Sequence, residues 1–465
     1  MNLIQYAVSV TMISVIWVQM PSGADSESPV PLVVYQWNLL EFEWPNDTVK
    51  QANKASGEYI PNNSAINGIK LYKDKVFVTV PRLFPGVPST LNVLVNVISP
   101  DMTSYNVASS NMPSLNVTLL RPYPNWEMQT LWNCDALQRV QSMEVDPHAG
   151  LMWIVDTGYR ENMGNPAPGY RDVTTVPKDA CPPKIIIFDI NKHSIVHKYT
   201  FPSSVTGVGR FYLNDIVLGF ENGAARYAYI SDTLAFKIVV YDYKTDSSWA
   251  YSHPNMAADP VYMKLTIGND TTTLVTGING IALSPDYQYL YYSSVAGVGL
   301  HQIKTSVLIS ARGDNVKFAA AVRTIGSKVS PGDGMAYGSA HNLYYSALGK
   351  NGIYKWDVRK DLGSTGSFDS VEMKTQAKFV SDARMEWVDT LVIDGAGFLW
   401  FSTSRLNKLF SEGGVQRYEP NFYIWKVYVG DTNYMTAANP TLGAGSTPAS
   451  ILIISLSALF AAYLV

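Results

Sequence analysis

The sequence has little charge, little cysteine and little histidine, and each shortage excludes something. Asp, Glu, Lys and Arg make up 16% of its 465 residues, against roughly 25% in an average soluble domain. With hydrophobic residues at 47%, such a chain has too much apolar surface to remain disordered. The 35 basic and 38 acidic residues leave a net charge of −3, and no basic stripe is present that could neutralise a phosphate backbone. Nucleic acid is therefore not an expected partner. The histidines, at 148, 193, 197, 253, 301 and 341, are scattered. Without HExxH, CxxC or two-histidine-one-carboxylate spacing, neither a metal site nor a cofactor is expected. A G-x-S-x-G elbow, a phosphate-binding G-x-x-x-x-G-K-[ST] loop and a dinucleotide fingerprint are also missing, which leaves hydrolase, kinase and Rossmann readings without support.

Aromatic and turn residues are abundant: 29 Tyr, 11 Trp and 16 Phe stand with 33 Gly and 26 Pro. Aromatic side chains suit a pleated surface, and Gly and Pro punctuate it, so the class is all-β. One pattern then recurs: a small or polar pair, an apolar strand, a short turn, a strand rich in Tyr, Trp or Phe, and a third apolar strand. Units open at Asn67-Gly68, Ser142-Met143, Asn214-Asp215, Asn279-Gly280, Asp333-Gly334 and Asp389-Thr390. Four-stranded units repeated radially are the blades of a β-propeller, which leaves only short protected sheet edges. Six units predict a six-bladed β-propeller with a central channel. The segment from Leu32 to Asn63 precedes the first unit, and by analogy with other rings it is expected to complete the last blade.

The two ends of the chain read as addresses. Residues 1–24 are uncharged and apolar and end in small residues, as a cleaved signal peptide does. Residues 25–430 are assigned to the propeller, 431–450 to a small-residue linker and 451–465 to a hydrophobic tail. Ala437-Ala438-Asn439, the spacer and the tail meet the requirements of a glycosylphosphatidylinositol anchor; a terminal membrane helix and a plain hydrophobic end are the alternatives. The expected location is extracellular, with the tail as the means of membrane attachment. Sequons at Asn46, Asn62, Asn116 and Asn269 fit a secreted chain. Only Cys134 and Cys181 are present, and in an oxidising compartment two cysteines most simply pair with each other.

Several segments resemble the Yellow and major royal jelly protein family: QWNLLEFEWPND (36–47), VFVTVPRLFPGVPSTLN (76–92), NCDALQRVQSMEVD (133–146), LMWIVDTG (151–158), GINGIALSP (277–285), GDGMAYG (332–338) and FVSDARMEWVDTLVIDGAGFLWFSTSRL (379–406). The resemblance covers about residues 34–428 and implies a six-bladed propeller, in agreement with the repeat count. It implies scattered functions: dopachrome conversion, cuticle pigmentation, biogenic-amine binding, eggshell hardening and nutritive or structural roles. Many members carry four cysteines, one of them in a turn that here reads Asp146-Pro147-His148-Ala149-Gly150.

The candidate site is the ring of polar residues that opens the units. If each unit opens the innermost strand of its blade, Asn67, Asn214, Asn279, Asp333 and Asp389 converge on one mouth of the channel, with Asp215 and Thr390 beside them and Ser142 in the equivalent place of the second unit. Asp333 and Asp389 are the candidate catalytic carboxylates, with Asn279 or Arg405 as donor to a quinone oxygen. The bland alternative is that these Asn and Asp side chains cap strand starts, with the glycines serving turns. By resemblance to amine-binding members, Thr390, Ser404 and Leu406 join the ligand contacts, although Ser404 stands where the family frequently has Asn. Phe401, Trp400, Tyr337 and Trp387 are candidate walls. The expected partner is a small aromatic amine or indole quinone. The expected function is ligand binding in pigmentation or matrix hardening, with dopachrome tautomerase as the enzyme version; non-catalytic amine binding and a structural matrix role are the alternatives.

Overall fold

A computed structural model describes residues 29–98, 116–158, 181–207, 211–364, 366–412 and 414–436. The expected signal peptide, the proposed anchor site and the hydrophobic tail lie outside the described residues. Six four-stranded antiparallel sheets follow one another along the chain. Their innermost strands are Ile69–Tyr72, Val140–Asp146, Leu213–Glu221, Ile278–Leu283, Met335–Tyr337 and Trp387–Ile393. Each opens within three residues of a repeat start, so the six units are six blades. Leu32–Trp37 is the outer strand of blade six, pairing with Phe422–Tyr428 from Leu32 opposite Lys426 to Trp37 opposite Phe422. The ring is thus closed by strands from both ends of the described chain, as the position of Leu32 to Asn63 suggested. Among the described residues no helix is long and apolar enough to cross a membrane.

Many of the inner, second and third strands are buried along nearly their whole length because each sheet is sandwiched between neighbours, and the large aromatics fill the wedges between blades. Trp153, Trp356 and Trp425 are fully buried on the second or third strands of blades two, five and six. Burial of such rings is the largest single apolar contribution per residue. The indole of Trp425 meets a partner inside, donating to Thr403 Oγ1 at 2.9 Å.

Hydroxyls on or just after the second strands brace the strand starts at the mouth, three of them across to the next blade. Thr79 Oγ1 accepts from Gly68 N (2.7 Å) and donates to the Gln141 carbonyl of the next blade (2.8 Å). Ser402 Oγ accepts from Thr390 N (3.3 Å) and donates to the Asn67 carbonyl across the closure (2.9 Å). Thr157 Oγ1 accepts from Leu213 N of blade three (3.1 Å), and Ser346 Oγ accepts from Asp333 N (2.6 Å). Each satisfies a backbone group that a strand start leaves without a ladder partner.

The glycines of the repeat starts serve a different purpose from the turn expected of them. Gly68, Gly280 and Gly334 are not among the residues with positive φ. A Cβ on Gly280 would lie 2.1 Å from the Asp333 carbonyl oxygen, and one on Gly334 would lie 1.9 Å from that of Asp389. These glycines allow successive inner strands to approach.

Cys134 and Cys181 form a disulfide with their Cα atoms 5.1 Å apart. Of the sequons, Asn46 is exposed and caps a helix, its Oδ1 accepting from Val49 N at 3.0 Å. Asn269 is exposed at the turn of a hairpin (Lys264–Ile267 with Asp270–Thr273). Asn62 is half-buried and its Nδ2, the atom a glycan would occupy, donates to the Val415 carbonyl at 2.7 Å. Asn116 opens the outer strand of blade one, and its side chain is outside those described. The segment read as a linker begins differently: Asp431, Tyr434 and Met435 are buried, so residues 431–436 belong to the folded ring.

Because the approach at Gly334 meets backbone rather than a movable side chain, Gly334→Ala is expected to lower stability by about 3 kcal/mol. Gly395→Ala, where nothing lies within 4 Å, should stay within about 0.5 kcal/mol. Chemical denaturation of the two variants checks the contrast.

Candidate functional site

The close approach of the inner strands carries three carboxyl groups into one buried cluster. Asp215 opens blade three, Asp333 blade five and Asp389 blade six. Asp333 and Asp389 are 6% and 9% exposed. Asp333 Oδ2 accepts from the Trp387 indole Nε1 at 2.7 Å, and Asp333 Oδ1 accepts from Asn279 Nδ2. Asp215 is half-buried; its Oδ1 accepts from Ile216 N (2.9 Å) and Ser142 Oγ (3.4 Å), and its Oδ2 from Ile281 N (3.2 Å). Asp389 is the least satisfied. Thr390 Oγ1 donates to its Oδ1 at 3.3 Å, while its Oδ2 is buried with no hydrogen-bond partner.

Burial dominates the electrostatics of this cluster. Desolvation pushes the Asp215 carboxyl up to about 6, against the pull of the Lys70 ammonium and two backbone amides. Desolvation raises Asp333 to about 7; the Trp387 bond opposes this, the Asp215 charge adds to it, and Lys328 and Asn279 oppose it. Asp389 is raised well above the usual carboxylate range, first by burial and then by the neighbouring charge of Asp333. Like charges this close favour sharing protons over full ionisation.

Other buried groups complete the mouth. Lys328, on the connection from blade four to blade five, is 4% exposed, and its Nζ donates to the Gly332 carbonyl at 3.4 Å. Burial lowers its ammonium to about 7, with Asp333 pulling the other way. The Arg139 guanidinium lies 5.1 Å from the Tyr212 ring centre, and burial raises the Tyr212 phenol to about 12. Below the mouth the channel is lined by the ion pair of Lys70 and Glu144 (2.8 Å), by Thr390 and, at its far end, by Asn433 and Tyr434.

The predicted residues divide. Asn279, Asp215, Asp333, Asp389 and Thr390 are brought together. Asn214 donates from Nδ2 to Thr233 Oγ1 at 3.3 Å, a strand-start role. Ser404 is buried opposite Trp387 in the ladder, one side chain removed from Asp333. Leu406 begins a helix (Leu406–Glu412) and packs in the apolar cluster with Trp387 and Leu409. Arg405 is held by Glu386 (Nε to Oε1, 3.1 Å) and Glu419. Of the candidate walls, Tyr337 lines the channel, Trp387 binds Asp333, and Phe401 lies in the core between strands. Lys328, Arg139 and Tyr212 carry no repeat signal in the sequence. Among the described residues no group of three or more His, Cys, Asp and Glu is arranged to hold a metal ion.

A carboxyl whose folded pKa is raised stabilises the protein fully below its unfolded pKa, near 4, and that stability is lost as pH rises through the folded value. For Asp333 the window runs from about pH 4 to about 7. Asn at 333 or 389 does not ionise. The Tm of Asp333→Asn or Asp389→Asn relative to the unsubstituted chain should therefore become more favourable from pH 4 to pH 8. Thermal melts across that range check the sign, and a difference that is flat or moves the other way contradicts it.

The chain is 25% identical to major royal jelly protein 8 of Apis mellifera over 340 residues, covering 71% of this chain and 73% of that protein. It is 30% identical to protein yellow of Drosophila yakuba over 281 residues and 29% identical to that of Drosophila melanogaster over the same length, in both cases 59% of this chain. It spans about half the length of these two Drosophila relatives, 47% of each. A family model described as major royal jelly protein matches residues 138–437, which include five of the six repeat starts and the whole carboxyl cluster. The chain belongs to the Yellow and major royal jelly protein family.

Proposed function

We propose that the chain is an extracellular Yellow-type propeller that binds a small catechol- or indole-derived ligand at the carboxyl mouth and moves a proton on it, in pigmentation or in hardening of an extracellular matrix. Family members are generally extracellular. The observation that carries the reading is the pairing of Asp389, whose buried Oδ2 lacks a partner, with Asp333, whose carboxyl is poised near neutrality. Environments that push two carboxyls to different protonation states assign acid and base roles. Asp389, held protonated, donates to a quinone-type oxygen of the ligand. Asp333, partly ionised at neutral pH, takes the proton from a ring carbon. Asn279 and Trp387 hold the Asp333 carboxyl in place, so Asn279 acts as a positioning residue rather than as donor to the ligand.

Such a shift is an isomerisation: the proton leaves carbon for Asp333, oxygen is protonated from Asp389, and the two carboxyls exchange states before the next cycle. No redox partner is consumed. Dopachrome tautomerisation is the specific reaction of this class. The same mouth would hold an aromatic amine without chemistry, with an ionised carboxyl facing the ammonium, and this is the second reading.

The test uses purified protein assayed for loss of dopachrome absorbance and titrated separately with dopamine and serotonin by calorimetry. Asp333→Asn and Asp389→Asn are each expected to weaken conversion or binding at least tenfold, equivalent to about 1.4 kcal/mol, without lowering the Tm at neutral pH. Loss of amine binding without any conversion by the unsubstituted chain favours the second reading. Variants that handle dopachrome and amines normally remove the mouth from consideration.

A further inference from the structure

The end of the channel opposite the carboxyl mouth already holds an aromatic ring with a hydroxyl. The inner strands of a propeller present one row of backbone groups to the channel with no strand beyond them, and those groups require partners. At Leu218 both are met by one side chain: Leu218 N donates to Tyr434 Oη at 2.9 Å, and Tyr434 Oη donates to the Leu218 carbonyl at 3.3 Å. The ring is buried among residues that include Leu218, Ile281 and Leu283. Tyr287 meets it edge-on at 6.1 Å and is itself stacked on Phe220 at 5.2 Å. Burial keeps the phenol well above its ordinary pKa, hence neutral. Apolar walls, an aromatic edge and a donor–acceptor pair at fixed depth are what recognition of a phenol needs.

The segment that delivers Tyr434 is fastened to turns at this end of blades two and five. Asp431 accepts from Ser339 Oγ (2.9 Å), Ala340 N (2.9 Å) and Asn342 Nδ2 (3.1 Å). Ser339 N donates to the Thr432 carbonyl at 2.8 Å, and His148 Nε2 lies 2.8 Å from the Met435 carbonyl oxygen. Most of these bonds are made by residues other than the one filling the pocket.

We propose that this end of the channel is a phenol-binding site, distinct from the carboxyl mouth, in which the chain's own Tyr434 is the resident ligand and which accepts a free phenol or catechol when that side chain is withdrawn. Residues 431–436 then act as an internal stopper.

The experiment vacates the pocket in the full chain and offers it a matching molecule. With Tyr434→Ala, saturating 4-methylphenol is expected to raise the Tm by about 2 °C or more. Toluene, of similar shape but without the hydroxyl, should raise it less than half as much, and neither compound should move the Tm of the unsubstituted chain. Equal stabilisation by the two compounds, or none by either, overturns the proposal. Should the alanine variant fail to fold even with 4-methylphenol present, Tyr434→Phe decides. It keeps the ring and removes the hydroxyl, so the Leu218 amide should exchange with solvent at least tenfold faster; unchanged exchange overturns the proposal. Neither readout depends on dopachrome conversion at the mouth, so failure here and failure there are separable.

Discussion

The ring depends on how closely successive inner strands approach. Gly280 lies against the Asp333 carbonyl and Gly334 against that of Asp389, with no room for a Cβ between. Hydroxyls of Thr79 and Ser402 bridge from one blade's start to the next, and the strand Leu32–Trp37 closes the circle. Protein interiors are packed to crystal-like density, so a contact of this kind has little slack and its loss spreads to its neighbours. Everything at the mouth inherits its spacing from that approach.

The site follows from the same constraint. Inner strands this close carry Asp215, Asp333 and Asp389 into shared, poorly hydrated space, and desolvation raises all three carboxyls. A structure selected for stability alone would place Asn or Ser there, as it does at Asn67 and Ser142. Groups that lower stability at neutral pH and sit in a concavity are the expected mark of a functional site. The two ends of the channel then differ in chemistry: titratable carboxyls at one, and at the other a neutral phenol bonded to backbone.

Much of this was legible in the sequence because it repeats. The small or polar starts, three of them Asn-Gly or Asp-Gly, followed by apolar and then aromatic strands, mark the six inner strands, and the convergence of Asn279, Asp333 and Asp389 follows from their phase. The reason for the glycines was not legible, since a turn and a close approach demand the same residue; only the distance to the neighbouring carbonyl separates them. Lys328 was hidden because it lies between repeats and acts through burial, which one lysine in a short polar stretch does not reveal. The run beginning at Asp431 read as a linker because its residues are small and polar, yet Asp431 is buried through three hydrogen bonds that depend on partners about ninety residues away. Leu406 was carried to the site by resemblance alone, and the fold places it in the core beneath Trp387.

The central claim is that convergence of the blades keeps the mouth carboxyls from ionising in the ordinary acidic range. Carbon-13 NMR titration of protein labelled at the aspartate carboxyl carbons, with Asp333→Asn and Asp389→Asn used for assignment, measures this directly. The account predicts an Asp333 signal that titrates near pH 7 and an Asp389 carboxyl still protonated there. Both carboxyls fully ionised by about pH 5, close to the range of solvated aspartates, would contradict it.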